Sequence, residues 1–483
     1  MYEKGNLPEL AIEDCLTILD KDMSHTKARS RKLRVLEATK RWEEALVEVC
    51  ALQLLFMKAN RTNIQMNLPM GPPPVAPSKM EELLGHVLPD QLGRYTKRLK
   101  EGKKRDLPSD YTILQLLRSY SGFNSWMAAA AKDGSVEKLT KALPEAEAKD
   151  VASKAARATT LMKRGRRYVY DRSYEVSTKD FEDAYALVES DEEVQDAMEG
   201  DSYARLLEWT GMVRHWHYEL QSSLACYQKC ADLEPTNADL LVKQAGVQMD
   251  SGKHEEAMKL FDMALGIDET AVDALLHRSN LQMLQGKHAE AKQDLERCLE
   301  LKPNHIMARL RLASILAATD DPAGARKQLD LAEQEDPNSS EVQSHRGELF
   351  FTQGQMEDAR KQFERAIELE PGNPTPYVNA AMALLNTQTA PGQVPDAASI
   401  MALLEKAISV DPQFTAAYMQ LGQLALGTAT DLSAAREVIT LYDKGLENCR
   451  SEEEIKELLS MRVLAVAQVD AASMLKMEQF NMQ

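Results

Sequence analysis

Residues 238–269 read "ADLLVKQAGVQMDSGKHEEAMKLFDMALGIDE", and the pattern in this stretch indicates the fold class of the chain. Small residues recur at Ala245, Ala257 and Ala264, and Gly252 separates two runs that have the apolar spacing of amphipathic helices. Small side chains are needed where two antiparallel helices pack closely, and a glycine permits a tight turn between them. The stretch therefore predicts two antiparallel helices, called helix A and helix B below.

This helix pair recurs with a period of 34 residues. Pro303, Pro337 and Pro371 close three successive units at that interval. Small or turn residues occupy the equivalent positions of those units: Ser279, Gly286, Ala291 and Cys298, then Ala313, Asp320, Ala325 and Ala332, then Gly347, Gly354, Ala359 and Ala366. A 34-residue helix–turn–helix unit is typical of tetratricopeptide repeats. The sequence therefore predicts an all-α protein, a tetratricopeptide-repeat α-α superhelix in two blocks.

Composition agrees with this fold class and narrows the choice of partners. Ala, Leu, Glu, Lys, Gln and Met dominate, whereas β-branched and aromatic residues are few, so helix is favoured nearly everywhere. Asp and Glu outnumber Lys and Arg by 75 to 58, which gives a net charge of −17. Because nucleic-acid affinity comes mostly from neutralising phosphates, so acidic a chain is expected to bind cationic partners and no nucleic acid.

Catalysis and metal binding find little support in the sequence. No phosphate-binding loop, dinucleotide fingerprint, nucleophile elbow or kinase signature is present, so we expect no enzyme and no cofactor. His215 and His217 could bind a metal, but residues two apart on a helix face different directions, so no metal site is expected. The six cysteines lack a disulfide spacing and are expected to be packed thiols, Cys226 and Cys230 among them.

The flanking repeats are less regular and suggest three domains. Residues 1–58 form an N-terminal repeat block, and residues 59–134 read as a linker with short helices because "NLPMGPPPVAPSKM" (67–80) is rich in proline. Residues 135–483 form the C-terminal superhelix. This domain carries an insertion, "NTQTAPGQVPD" (386–396), and ends in an apolar-striped helix suited to cap a solenoid.

A basic stretch, "TKARSRKLR" (26–34), stands out in this acidic chain. The repeat phase starts a helix A near Thr26, so Lys27 and Arg31 occupy its positions 2 and 6 and project from one face. Two cations on a groove wall suit a carboxylate or an acidic peptide end, since arginine offers a bidentate fork and lysine a point charge. The other cations of the stretch, Arg29, Lys32 and Arg34, are expected to point elsewhere and to be solvated.

A second candidate site is the groove of the C-terminal domain. If positions 2, 5, 9 and 12 of each helix A face the groove, its lining is apolar, with Asp239, Asp273 and Glu341 beside it. Methionines adapt to apolar partners of different shape, and carboxylates attract cations, so this groove would suit basic amphipathic helices and hydrophobic segments. The alternative is that half of the methionines only pack between helices. The predicted lining residues are Met212, Val242, Met249, Leu276, Met283, Met307, Leu310, Val378 and Met382.

Several segments resemble a known family. The Lys27–Arg31 pair resembles the carboxylate clamp of co-chaperones that bind the acidic tails of the 70- and 90-kDa heat-shock chaperones. Three further stretches are similar to the large tetratricopeptide receptor of the mitochondrial outer-membrane protein translocase: "YEKGNLPELAIEDC" (2–15), "LPSDYTILQLLRSYSGF" (107–123) and "AAYMQLGQLALGTATDLSAAREVITLYDKGLENCRSEEEIKELL" (416–459). The resemblance covers almost the whole chain.

The resemblance implies a function and a set of partners. It implies a mitochondrial import receptor on the cytosolic face of the outer membrane, with precursor proteins, chaperone tails and other translocase subunits as partners. It also implies a membrane anchor and a complete first repeat upstream of Met1, and clamp groups other than Lys27 and Arg31. The alternative is a soluble co-chaperone or scaffold that uses the same grooves in the cytosol.

Overall fold

The computed structural model describes residues 7–61, 63, 72–100, 106–143, 149–387 and 396–477. Within these ranges the regular secondary structure is entirely α-helical, and no strand occurs. The prediction of an all-α tetratricopeptide-repeat superhelix is confirmed. Parts of two expected features, the proline-rich stretch at 67–80 and the insertion at 386–396, lie outside the described residues.

The helices fall into two compact units, which are described separately. Unit 1 comprises Met1–Lys103 and Gln388–Gln483, and unit 2 comprises Lys104–Thr387. The helices of unit 1 are α1 Pro8–Lys21, α2 Thr26–Ala38, α3 Trp42–Ala59, α4 Ser78–Lys100, α22 Ala397–Val410, α23 Thr415–Thr428, α24 Leu432–Asn448 and α25 Glu452–Met474.

Unit 2 contains the regular repeats. Its helices are α5 Asp110–Arg118, α6 Phe123–Asp133, α7 Val136–Ala142, α8 Val151–Tyr170, α9 Tyr174–Ala186, α10 Glu192–Asp196, α11 Ser202–Trp216, α12 Leu220–Leu233, α13 Ala238–Asp250, α14 His254–Ile267, α15 Val272–Leu284, α16 His288–Leu301, α17 Ile306–Ala318, α18 Pro322–Glu335, α19 Ser340–Thr352, α20 Met356–Leu369 and α21 Thr375–Thr387.

Each regular repeat is built as its small residues require. Helix A packs against helix B of the same repeat, as α13 does against α14. Gly252 lies in the turn between them at a φ of 70°, a left-handed conformation that glycine adopts without a side-chain penalty. The four alanines expected between helices are at most 1% exposed: Ala257, Ala291, Ala325 and Ala359.

One helix pair shows how close this packing is. A Cβ atom placed on Gly347 of α19 would overlap the ring of Phe363 on α20. Phe363 itself is 1% exposed, so the ring fills the space that the missing side chain leaves. A glycine also faces an aromatic ring in unit 1, where the ring of Tyr442 lies against Gly422. Small residues thus set the distance between helices, and aromatic rings fill the remaining volume.

The grouping of residues differs from the expected division at 58/59 and 134/135. The C-terminal helix α25 packs against α3 and α4, so residues 388–483 belong to the same unit as the N-terminal block. Helix α4 is 23 residues long and buries Leu83 and Val87, although we expected short linker helices here. The 34-residue period could not predict this grouping, because it specifies only the packing of helices that are adjacent along the chain.

Candidate functional site

The cations of the basic stretch occupy two different environments. Lys27 is exposed and Arg31 is partly exposed, four residues apart on α2. Arg29, which we expected to be solvated, is 1% exposed and donates a hydrogen bond from Nη1 to Glu48 Oε2 at 2.9 Å. Lys32 Nζ lies 2.7 Å from Glu48 Oε1, and its side chain is 12% exposed. The expectation was therefore wrong for Arg29 and Lys32, which tie α2 to α3.

The nine predicted groove residues divide by burial. Four of them, Met249, Met283, Met307 and Met382, keep part of their surface exposed. The other five are at most 7% exposed in the structure: Met212, Val242, Leu276, Leu310 and Val378. The first four of these five belong to the hydrophobic clusters of unit 2 and pack there rather than lining an open groove. Counting position 5 as groove-facing therefore selected packing residues, namely Val242, Leu276 and Leu310.

Positions 2 and 6 of successive A helices carry polar side chains with one exception, Met307. Counted from the first residue of α13, α15, α17 and α19, these positions form a set that we call the helix A row. Its members are Asp239, Lys243, Asp273, His277, Met307, Arg311, Glu341 and His345. Lys27 and Arg31 hold the same two positions in α2.

A stretch of the same chain lies against the helix A row. We call residues 107–126, which include α5 and the turn before α6, the inserted segment. Asp273 Oδ2 accepts hydrogen bonds from the Ser121 backbone N–H at 2.8 Å and from the Ser121 hydroxyl at 3.0 Å. Gln115 Nε2 donates to Glu341 Oε1 at 2.7 Å.

Aromatic side chains of the inserted segment cover the middle of the row. Lys243 Nζ lies 5.2 Å from the ring centroids of both Tyr120 and Trp126. The Tyr120 ring lies 5.3 Å from the His277 ring, and Trp126 meets Trp209 of α11 edge to face at 5.7 Å. An ammonium held over aromatic faces is attracted by the ring quadrupole, and the attraction strengthens when water is excluded.

Burial changes the protonation of the row. Desolvation raises the pKa of Asp273 despite its hydrogen bonds to Ser121. Desolvation, with a further contribution from the charge of Arg311, lowers the pKa of His277 to about 3. Lys243 Nζ lies 3.0 Å from Glu208 Oε1, and both side chains are at most 4% exposed. At neutral pH the row therefore presents a neutral imidazole beside an ion pair.

The structure gives His215 of the "HWH" motif a structural partner. His215 Nε2 lies 2.7 Å from Asp250 Oδ2. Among the described residues, no group of three or more His, Cys, Asp or Glu side chains is arranged to hold a metal ion. All six cysteines are buried thiols, and Cys230 donates a hydrogen bond from Sγ to the Ala204 carbonyl oxygen at 3.2 Å.

The sequence pattern singled out Asp239, Asp273 and Glu341 but neither Lys243 nor His277. It also did not predict that the inserted segment, which lies in the expected linker, contacts the helix A row. Lys243 and His277 could have been found from the sequence, because they occupy position 6 of their A helices, as Arg31 does in α2. The contacts of the inserted segment with α15 and α19 could not be predicted from the repeat, because the 34-residue period does not relate these parts of the chain.

None of the described helices combines the length and the apolar content that crossing a membrane requires.

Comparison with known proteins gives the following matches. The family described as "Tetratricopeptide repeat-like domain" matches residues 223–387. The fold is similar to that in the crystal structure of yeast Tom70, with a TM-score of 0.55 and 19% identity over 98% of this chain and 88% of that one. No curated protein matches by sequence.

Two further solved structures match smaller parts of the chain. A tetratricopeptide repeat protein from Parabacteroides merdae matches with a TM-score of 0.42 and 19% identity, over 54% of this chain and 98% of that one. YrrB, a TPR protein with an unusual peptide-binding site, matches with a TM-score of 0.27 and 21% identity, over 40% of this chain and 95% of that one. The chain therefore has the fold of a tetratricopeptide-repeat superhelix, and residues 223–387 match the family of that repeat.

Proposed function

We propose that the protein is a receptor that binds polypeptide segments along the helix A row of unit 2. The observation that carries this proposal is the hydrogen bond from the Ser121 backbone N–H to Asp273, which shows a row carboxylate binding main chain. Glu341 and Lys243 make side-chain contacts to the same stretch. A surface that already binds a polypeptide through both main-chain and side-chain groups can bind another of matching chemistry.

We further propose that the ligands are mitochondrial precursor proteins and that the receptor acts on the cytosolic face of the outer membrane. The sequence resemblance to the translocase receptor and the fold likeness to yeast Tom70 support this assignment. The net charge of −17 supports it as well, because targeting helices are basic and a negative surface raises their association rate.

Chaperone docking belongs to the N-terminal block in this proposal. Lys27 and Arg31 lie four residues apart on α2 and retain exposed surface, which suits an acidic tail. Arg29 and Lys32 take no part, because both are paired with Glu48.

Fluorescence anisotropy with the purified chain tests the function. Three labelled peptides are compared: a basic amphipathic targeting helix, the same composition scrambled to destroy its apolar face, and an acidic chaperone-tail peptide. An import receptor binds the first and third, and binds the scrambled peptide at least tenfold more weakly. Binding of the acidic tail alone, with a cytosolic distribution on cell fractionation, would instead support the soluble co-chaperone.

A further inference from the structure

The inserted segment spans the helix A row much as a bound peptide would. Its contacts begin at Gln115, which reaches Glu341 on α19, and end at Trp126, which packs on Trp209 of α11. Between these ends, Ser121 contacts Asp273 on α15. One stretch of about a dozen residues therefore contacts A helices of several different repeats.

The apolar side chains of the segment are buried against unit 2. Ile113, Leu114 and Leu117 share one face of α5, and each is at most 7% exposed. Ile113 and Leu117 belong to the same hydrophobic cluster as residues of α11 and α13. At the edge of this face, Arg118 is exposed and its Nη1 lies 3.9 Å from Glu370 Oε1. The segment is thus an amphipathic helix followed by a turn that presents an aromatic ring and a main-chain donor.

The row keeps hydrogen-bonding capacity that the segment does not use. Among the described residues, Asp273 Oδ1 is a buried atom of the row without a hydrogen-bond partner. This oxygen can accept a further donor, and a buried acceptor left unsatisfied is unfavourable. A ligand with an additional donor at this point would therefore satisfy a group that the internal segment leaves unsatisfied.

From this arrangement we propose that residues 107–126 are a built-in ligand of unit 2, and that an incoming polypeptide binds by replacing them. The inference rests on the proposed peptide-binding function and specifies its ligand. That ligand is a helix with an apolar stripe and a cationic residue, followed within a turn by an aromatic side chain and a free main-chain N–H. Asp273, Lys243 and Glu341 are the residues that select it.

A gain of binding provides the first test, because misfolding cannot produce it. The double variant Gln115→Ala with Arg118→Ala removes the contacts to Glu341 and Glu370 from partly exposed positions while leaving the row intact. Weakening the internal ligand is expected to raise the affinity for a labelled synthetic peptide of residues 107–126 at least threefold. Asn124→Ala, at an exposed position of α6, is the matched control and should bind as the wild type does. Unchanged or weaker binding by the double variant would overturn the proposal.

Locking the segment provides the second test. Arg118 Nη1 and Glu370 Oε1 lie 3.9 Å apart, so the variant Arg118→Cys with Glu370→Cys can be joined by dithiobismaleimidoethane, which dithiothreitol cleaves, while the three selecting residues stay intact. All six native cysteines are buried, so the two introduced thiols react selectively. Peptide 107–126 should bind the cleaved protein and the same variant capped with N-ethylmaleimide, but bind the locked protein at least tenfold more weakly.

The outcomes separate the two proposals. Equal binding by locked and cleaved protein means that the peptide does not replace the segment, which overturns this inference while leaving a peptide-binding receptor intact. Failure of the cleaved protein to bind peptide 107–126 also overturns it. A targeting peptide that binds neither form, although peptide 107–126 binds the cleaved one, contradicts the proposed precursor-binding function alone.

Discussion

Arg29 Nη1 lies 2.9 Å from Glu48 Oε2, and each side chain is 1% exposed, so this ion pair is buried between α2 and α3. Arg29 also donates from Nε to the Met23 carbonyl oxygen at 2.9 Å, which fixes the start of α2. Charged groups removed from water are tolerated only when they are paired and hydrogen-bonded. Arg29, which belongs to the same basic stretch as the candidate clamp, therefore has a structural role.

Replacing Arg29 by Ala is expected to destabilise unit 1 by about 1.5–3 kcal/mol, because Glu48 would lose a buried, charge-assisted hydrogen bond and keep only Lys32 as its partner. Chemical denaturation followed by circular dichroism measures the loss. Lys27→Ala is the matched control on the same helix and should change stability by less than about 0.5 kcal/mol, since Lys27 is exposed. Equal effects of the two substitutions would contradict the assigned roles.

The clamp prediction concerns binding rather than stability. Lys27→Ala and Arg31→Ala should each weaken an acidic chaperone-tail peptide by about 1–3 kcal/mol, as expected for charge-assisted hydrogen bonds. Isothermal titration calorimetry gives the affinity. Arg34→Ala, exposed on the same helix, serves as the charge control and should have little effect. If all three variants lose affinity equally, bulk charge explains the attraction.

In unit 2, Met249→Asp with Met283→Asp should abolish binding of an amphipathic targeting peptide while leaving the melting temperature within a few degrees of the wild type. Both side chains are partly exposed, so a charge there removes apolar contact without burying a carboxylate in the core. Val242→Asp is the contrasting variant, because Val242 is 1% exposed and the charge would unfold the repeat. Parallel loss of binding and melting temperature in the double variant would place these methionines in the core.

The close approach of α19 and α20 predicts that Gly347→Ala destabilises unit 2 by about 1–3 kcal/mol, since the new methyl group would displace the Phe363 ring. Gly266→Ala on helix α14 of the same unit is the control. Nothing lies within 4 Å of a Cβ placed there, so improved helix propensity should stabilise the protein by about 0.5 kcal/mol. Urea denaturation measures the free energy of unfolding of both variants. An unchanged free energy of unfolding for Gly347→Ala would show that α19 and α20 can move apart without a loss of stability.

The buried imidazole of His277 predicts a pH dependence. Because its pKa in the folded state is about 3 and that of an unfolded histidine is about 6.5, the unfolded chain binds more protons between these values. Stability should therefore fall as pH drops from 6.5 towards 3. His305, whose pKa burial lowers to about 4, acts in the same direction. Melting temperatures at pH 7.5 and pH 5 should differ less in His277→Gln than in the wild type, and an identical difference would contradict the assignment.

The sequence predicted the local unit well because tetratricopeptide packing is encoded within 34 residues. Ala257 and Ala291 had to be buried once the period was known, and both are. The role of Arg29 was missed because its partner, Glu48, lies on the following helix B, and sequence spacing does not show which face of α3 it occupies. The inserted segment was missed for a different reason. Its contacts join Gln115 to Glu341, 226 residues apart, and no repeat pattern relates those positions.

The packing of α25 against α3 and α4 also has a consequence for how the protein is made. On the ribosome, α3 emerges with Leu46, Val49 and Leu52 already in place, but the helix that covers part of this surface follows roughly 400 residues later. At about 5–20 residues per second, that interval lasts some tens of seconds. Throughout this time the nascent N-terminal block lacks the helix that completes its apolar cluster, so we expect this block to be prone to aggregation during synthesis.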